Sequence, residues 1–200
     1  MALSQVPCCA SARASPATRS RTGVEYNHLL LRRQREIRHA HTVTTTTPSP
    51  PDGPHARALL HALHGEQLTL YPTADDPTID VDQHTPPCGL FLIAWDQHGN
   101  PVGCGAVRRL AHSIAEIRKM YVIPAWRGSG LGRRLLDELE SFARDELSAT
   151  TIRLETGIHN NSALRLYDAA GYHPIDSYVD GRASFNAARE KPLDVSEDQH

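Results

Sequence analysis

Met120-Tyr-Val-Ile-Pro-Ala-Trp-Arg-Gly-Ser-Gly-Leu-Gly-Arg133 is the stretch that decides how this chain is read. Its first residues close a strand expected over 114–123. Its last residues open the clearest helix in the chain, expected over 129–147. On that helix Leu131, Leu135, Leu139 and Phe142 share one stripe, while Arg134, Asp137, Glu138 and Asp145 lie elsewhere. Three glycines, Gly128, Gly130 and Gly132, alternate at the junction. A helix start exposes four unpaired N–H groups and the positive end of the helix dipole. Glycines let that backbone close on a bulky anion, and Arg127 adds a charged donor. A strand, a glycine turn and a helix in this order predict a site for a phosphate or pyrophosphate. The alternative is a glycine turn that only starts a helix.

Two common nucleotide loops do not fit. A Walker-type loop needs Gly-Lys-Ser/Thr, and Gly132 is followed by Arg133 and Arg134. A dinucleotide fingerprint needs a glycine at position 133, which is arginine.

Outward from this stretch the chain alternates strands and helices. Thr44–Thr47 is β-branched and reads as a first strand. The proline-rich run 48–54 is a loop, and residues 55–70 carry Leu59, Leu60, Leu63 and Leu70 at helical spacing. A long connection spans 71–89. Leu90–Trp95 and Pro101–Leu110 form a hairpin around the turn Asp96–Asn100, where Gly99 is free to take positive φ. Beyond the main helix, 150–156 is a strand and 161–170 a helix stopped by Gly171. Residues 172–179 and 183–191 are closing strands. The expected fold class is α/β, a mixed and mostly antiparallel sheet of six or seven strands with about four helices, one of them over 24–40.

Composition bounds the function. The 200 residues allow one ordinary domain with a tail, and 40% hydrophobic residues suit a globular core. No apolar run is long enough to span a bilayer, and residues 1–20 lack the apolar centre of a secretory signal. The net charge of −2 hides an asymmetry: residues 1–41 hold seven arginines and two glutamates. Residues 1–41 read as a basic N-terminal arm, disordered over 1–22 and partly helical beyond, with a transit peptide as the alternative for 1–22. The domain itself spans 42–194, and 195–200 is a tail. The acidic domain gives no pull toward nucleic acid. Cys8, Cys9, Cys88 and Cys104 form no CxxC pair, which points to a reduced, cytoplasmic protein and away from a cysteine-type metal site. The twelve histidines are scattered, so no metal site is expected.

A second motif stands about thirty residues after the first: Asn160-Asn-Ser-Ala-Leu-Arg-Leu-Tyr167-Asp-Ala-Ala-Gly171-Tyr172. The pattern Arg127-x-x-Gly130-x-Gly132, followed at this distance by an Asn, a Leu-Tyr pair and Gly-Tyr, resembles the GNAT superfamily of acetyl-CoA-dependent N-acetyltransferases. The resemblance covers roughly residues 43–192. It implies a GNAT-like fold with a V-shaped splay, a strand bulge before the slot, and acetyl-CoA as co-substrate without a metal.

The resemblance also assigns residues. The backbone of Arg127, Gly128, Ser129, Gly130, Leu131, Gly132 and Arg133 would hold the pyrophosphate. Met120, Tyr121 and Val122 would pair with the pantetheine arm like an added strand, with an amide near Val122 facing the oxyanion. Asn160 would contact the cofactor, or simply cap its helix. Tyr167 would protonate the departing thiolate, or be a buried aromatic with a satisfied hydroxyl. Glu116 would be the general base, or a hydrogen-bonded strand glutamate, with Glu155 as a second candidate. The implied reaction moves an acetyl group to a primary amine of a small molecule through a ternary complex. A protein N-acetyltransferase and a non-catalytic acetyl-CoA sensor are the alternatives. Arg108, Arg109, Arg118 and Lys119 could prepare a site for a carboxylate-bearing amine, whereas the acidic domain favours a cationic one. No nucleic-acid or membrane partner is expected, and a homodimer stays open.

Overall fold

A computed structural model describes residues 43–71, 74–179 and 184–194. The expected arm and its helix over 24–40 lie outside the described residues, as does the tail. Seven strands and three helices follow in chain order among the described residues. They are β1 (Val43–Pro48), α1 (Pro54–Leu70), β2 (Gly89–Asp96), β3 (Pro101–Ala111), β4 (Ile114–Val122), α2 (Leu131–Asp145), β5 (Thr151–Gly157), α3 (Asn161–Ala169), β6 (His173–Ile175) and β7 (Asn186–Pro192).

The strands form one sheet in the order β1-β2-β3-β4-β5-β7-β6. Every neighbouring pair is antiparallel except β4 and β5. That exception follows from connectivity, because α2 carries the chain from the end of β4 back to the start of β5.

Each face of the sheet has its own core. On one face Leu131, Leu135, Leu136, Leu139 and Ala143 of α2 pack with Val107, Ala115, Ile117, Ile152 and Leu154. On the other, Ala56, Leu59 and Leu60 of α1 cover Phe91, Ile93, Cys104 and Ala106. Cys104 is fully buried and unpaired, and burial pushes its thiol up to about 12.

Helix ends follow local chemistry. Pro54 opens α1, where its missing N–H costs nothing. Asn160 caps α3 by accepting from the Ala163 amide at 3.2 Å. At the other end Tyr172 N–H donates to the Tyr167 carbonyl and Gly171 N–H to that of Asp168, with Gly171 at φ +89°. This is a Schellman closure.

Three expected boundaries are corrected. The main helix starts at Leu131 rather than 129, because Gly130 sits at φ +89°, outside the helical region. It ends at Asp145 rather than 147, and Ser148 turns the chain at φ +53°. The strand expected over 172–179 shrinks to His173–Ile175. Tyr172 belongs to the helix closure and the core, while Ser177 and Tyr178 leave β7 to reach carboxylates on the sheet.

Candidate functional site

β4 and β5 pair only from Ile114–Thr151 to Ile117–Leu154. β4 continues to Val122 and β5 to Gly157, so the two strands part beyond Ile117. A bulge accompanies the parting. Between Cys104 and Ala106 β3 advances two residues, while its partner β4 advances three, from Arg118 to Tyr121. Lys119 absorbs the extra residue at φ +53°. Met120 then faces α2: a Cβ on Gly105 would lie 2.5 Å from the Met120 sulfur, so glycine there makes room for it. Tyr121 falls on the α1 face. The β4 edge at Met120, Tyr121 and Val122 thus faces an opening that an extended chain could enter by strand-like pairing.

The glycine turn stands directly beyond this edge. Gly128 (φ +75°) and Gly130 (φ +89°) both require the left-handed region. Gly130 is the N-cap of α2, with no side-chain cap and no acidic residue in the first turn. Arg133 and Arg134 occupy that turn instead. The Ser129 hydroxyl donates to the Trp126 carbonyl at 2.7 Å and closes the turn. Gly132 lies close to α3, with an added Cβ 3.3 Å from Leu166. An uncapped helix start without carboxylates fits an anion.

The Arg127 side chain takes a different course from its backbone. Its guanidinium donates to both oxygens of Glu66 on α1, at 2.7 and 2.6 Å, and to the Val122 carbonyl at 2.9 Å. It lies over the Tyr121 ring, 5.8 Å from its centre. The Tyr121 hydroxyl donates to the same Glu66 at 2.9 Å. Burial and the Glu66 carboxylate push this phenol up to about 12.

The face of the sheet opposite α2 carries charge where α1 does not reach. Glu116 is buried, with 3% of its surface exposed. One oxygen accepts from Arg108 Nε at 2.7 Å and the other from the Tyr178 hydroxyl at 3.0 Å. Burial, then the Glu116 charge, raise the Tyr178 phenol above its ordinary range. Glu155 accepts from Ser177 and Asn186, at 3.1 and 3.2 Å. Arg153 pairs with Glu190 at 2.6 Å and lies over the Tyr178 ring. Beside this lattice a cavity of about 260 Å³ opens between the connection after α1 and strands β3 and β4.

Tyr167 is buried on α3, edge-on to Tyr172 with ring centres 5.7 Å apart. Its hydroxyl has no protein partner among the described residues, and burial alone raises its pKa above the ordinary phenol range. Asn160 uses its side-chain oxygen on Ala163 and Ser162.

Most of the residues singled out from the sequence fall in two places, on β4 and at the start of α2. Met120–Val122 and Arg127–Arg133 line the parted edge and the helix start, and Glu116 stands on the opposite face below the parting. Glu66, Tyr178 and His84 gave no sequence signal. Glu66 lies in an ordinary helical run, and Tyr178 sits in a segment that reads as strand. His84 is buried in the 3₁₀ turn Asp82–His84, its Nδ1 on the Asp80 carbonyl at 2.7 Å. Among the described residues no cluster of three His, Cys, Asp or Glu could hold a metal ion, and no helix is long and apolar enough to cross a membrane.

Known proteins resemble this chain in sequence and in fold. An IAA acetyltransferase of Azospirillum brasilense is 33% identical over 128 residues, covering 62% of this chain and 81% of that protein. An aminoglycoside N(6')-acetyltransferase type 1 of Stenotrophomonas maltophilia is 34% identical over 123 residues, 56% of this chain and 79% of that one. A crystal structure from Klebsiella pneumoniae, assigned as an acyl-CoA N-acyltransferase, superposes with a TM-score of 0.65 at 33% identity. It covers 74% of this chain and 97% of its own. The model of the acetyltransferase (GNAT) family matches residues 56–172, which spans both glycine-turn and Asn160–Tyr172 motifs, and the chain belongs to that family of acyltransferases.

Proposed function

We propose that this chain moves an acetyl group from acetyl-CoA to a primary amine of a small molecule, by direct attack within a ternary complex. The observation that carries the proposal is the parting of β4 from β5 next to the uncapped start of α2. An extended thioester arm can pair with Met120–Val122 while its pyrophosphate meets the amides of residues 128–133. The Arg127 side chain is held by Glu66, so the backbone supplies the anion donors of this turn.

The remaining roles follow from the chemistry. The amine nitrogen forms a bond to the thioester carbonyl carbon, the carbon–sulfur bond breaks, and the sulfur takes a proton. A backbone N–H near Val122 stabilises the oxyanion. Tyr167, protonated well past neutral pH, supplies the proton to the thiolate. Glu116, or Glu155 on the next strand, accepts the amine proton directly or through water. Asn160 keeps its amide nitrogen for the cofactor while its oxygen caps α3.

Thermal unfolding with acetyl-CoA, CoA, ATP and NAD tests the reading. A ligand at about 100 times its Kd stabilises by about 2.7 kcal/mol. In a domain of this size that is a shift of roughly 5–10 °C. The expected result is a shift with both CoA compounds alone, and release of CoA when an accepted amine is added. A shift with ATP or NAD instead would overturn it.

A further inference from the structure

Arg118 differs from every other arginine around the candidate site. Arg108 holds Glu116 and Gln83, Arg127 holds Glu66, and Arg153 holds Glu190. Arg118 makes no hydrogen bond to a protein group among the described residues. Its nearest carboxylate oxygens stand outside hydrogen-bond range, at 3.7 Å for Asp75 and 3.6 Å for Glu116. Its side chain is 28% exposed and lines the 260 Å³ cavity. A guanidinium presents several N–H donors in a planar fork that matches a carboxylate. Here that fork faces an opening, with its donors in two long ion contacts and in no hydrogen bond among the described residues.

Its position on β4 gives the fork a purpose. Ile117 is the last β4 residue paired with β5, and Lys119 is the bulge residue. Arg118 therefore stands at the vertex of the parting, two residues from Glu116 and on the same face. A molecule resting on Arg118 lies beside the place where the thioester would enter. The opposite wall sets Lys119 beside Asp75, Asp76 and Asp80. The carboxylates of Asp76 and Asp80 close their own turns on Thr78 and Gln83, and the Lys119 ammonium donates to the Asp76 carbonyl at 2.7 Å.

We propose that Arg118 recognises a carboxylate on the acceptor, so that the preferred substrate is a small amine bearing an acid group, such as an α-amino acid. This rests on the acetyl-transfer reading above and names its substrate class. A bound carboxylate replaces two long ion contacts with short, charge-assisted bonds from the same fork. The acidic balance of the whole domain favours a cationic amine; the local geometry at the vertex decides against it.

The test is a panel of matched amines on the full chain: α-amino acids, their methyl esters and their decarboxylated amines, scored by release of CoA. A site built to bond a group rejects the analogue that lacks it. The expected kcat/KM is at least tenfold higher for the free acids. Arg118→Gln brings that ratio close to one, and Arg118→Lys, which keeps charge but loses the fork, falls between. Esters or decarboxylated amines used as well as the acids overturn the proposal, as does a ratio unchanged in Arg118→Gln. Stabilisation by acetyl-CoA is measured beside each variant. If it persists while no acid in the panel is acetylated, the carboxylate proposal fails and the cofactor reading stands. If it is absent from the parent chain, both fail.

Discussion

The Arg127 guanidinium closes on the Glu66 carboxylate at 2.6 Å, and that contact ties the segment before the glycine turn to α1. The same carboxylate receives the Tyr121 hydroxyl. One residue of α1 thus fixes both the strand end and the approach to the turn. A cationic side chain at this position reads, from sequence, as a phosphate donor. In the folded chain its guanidinium holds Glu66 and the Val122 carbonyl.

This brace gives a first prediction. Both partners are more than a third exposed, so the ion pair itself is worth about 0–1 kcal/mol. Glu66→Gln should lower Tm by only a few degrees. Its larger effect should fall on the cofactor, through a looser strand end and turn. Titration with CoA by calorimetry should show Kd raised several-fold, with kcat at saturating acetyl-CoA changed less. An unchanged Kd would mean that the turn holds its shape without α1.

Gly130 separates fold from binding. Its φ of +89° penalises a β-carbon, but aspartate tolerates the left-handed region better than alanine does. An added Cβ there meets nothing within 4 Å. Gly130→Asp should therefore fold, while placing a carboxylate on the amides that would hold the pyrophosphate. The expected outcome is loss of thermal stabilisation by acetyl-CoA, with the unliganded Tm moved by less than the binding shift. Retained stabilisation would place the anion site elsewhere.

Tyr167→Phe tests the proton donor. Its hydroxyl holds no protein partner among the described residues, so removing it leaves no buried group unpaired. Stability should change by less than about 1 kcal/mol. Turnover should fall by about 100-fold while CoA affinity holds. Burial raises this phenol above its ordinary value, so activity should not decline through Tyr167 ionisation below about pH 10. Equal turnover in the variant would return Tyr167 to a packing role.

Stability should fall on both sides of neutrality. Cys104 is raised to about 12 by burial, and Tyr121 to about 12 by burial and Glu66. Groups raised on folding contribute fully below their unfolded values, near 8.5 and 10, and lose that contribution as pH climbs toward the folded values. His84 is lowered, by burial first and then by Arg108 and Arg118. Its contribution is present above about pH 6.5 and is lost as pH falls. Urea titrations from pH 5 to 10 should give a plateau near pH 7–8. His84→Asn keeps a donor for the Asp80 carbonyl, and it should flatten the acid limb. An acid limb identical in the variant would remove His84 as its cause.

The legibility of these features follows from how local their causes are. The α2 stripe, the hairpin turn at Gly99 and the closure at Gly171 rest on residues within one turn of each other, and each forms as read. The strand end, the glycine turn and the start of α2 were legible for the same reason, since they are contiguous. The ends of the last strands were not. Tyr172 leaves its strand pattern for the core, and Ser177 and Tyr178 are drawn to carboxylates from residues 22 and 62 positions away. Glu66 and Arg127 are 61 residues apart and meet only through the sheet. Partners of that kind follow from topology, which no spacing in the sequence displays.

Glu116 is the strongest case for separating charge from position. Both of its oxygens are engaged, one by Arg108 and one by Tyr178. Removing one member of a buried pair costs about 3–5 kcal/mol, because the other charge is left uncompensated. Glu116→Ala should therefore lose stability heavily and report little on chemistry. Glu116→Gln keeps an acceptor for Arg108 and fills the same volume, so its stability loss should be smaller. If Glu116 takes the amine proton, Glu116→Gln should lower kcat by about 100-fold with CoA binding intact. Tyr178→Phe frees one carboxylate oxygen without removing the base, and its loss should stay below about tenfold. Equal, modest losses would make Glu116 an anchor of the charge lattice and shift the base to Glu155, whose oxygens accept, among the described residues, from neutral Ser177 and Asn186.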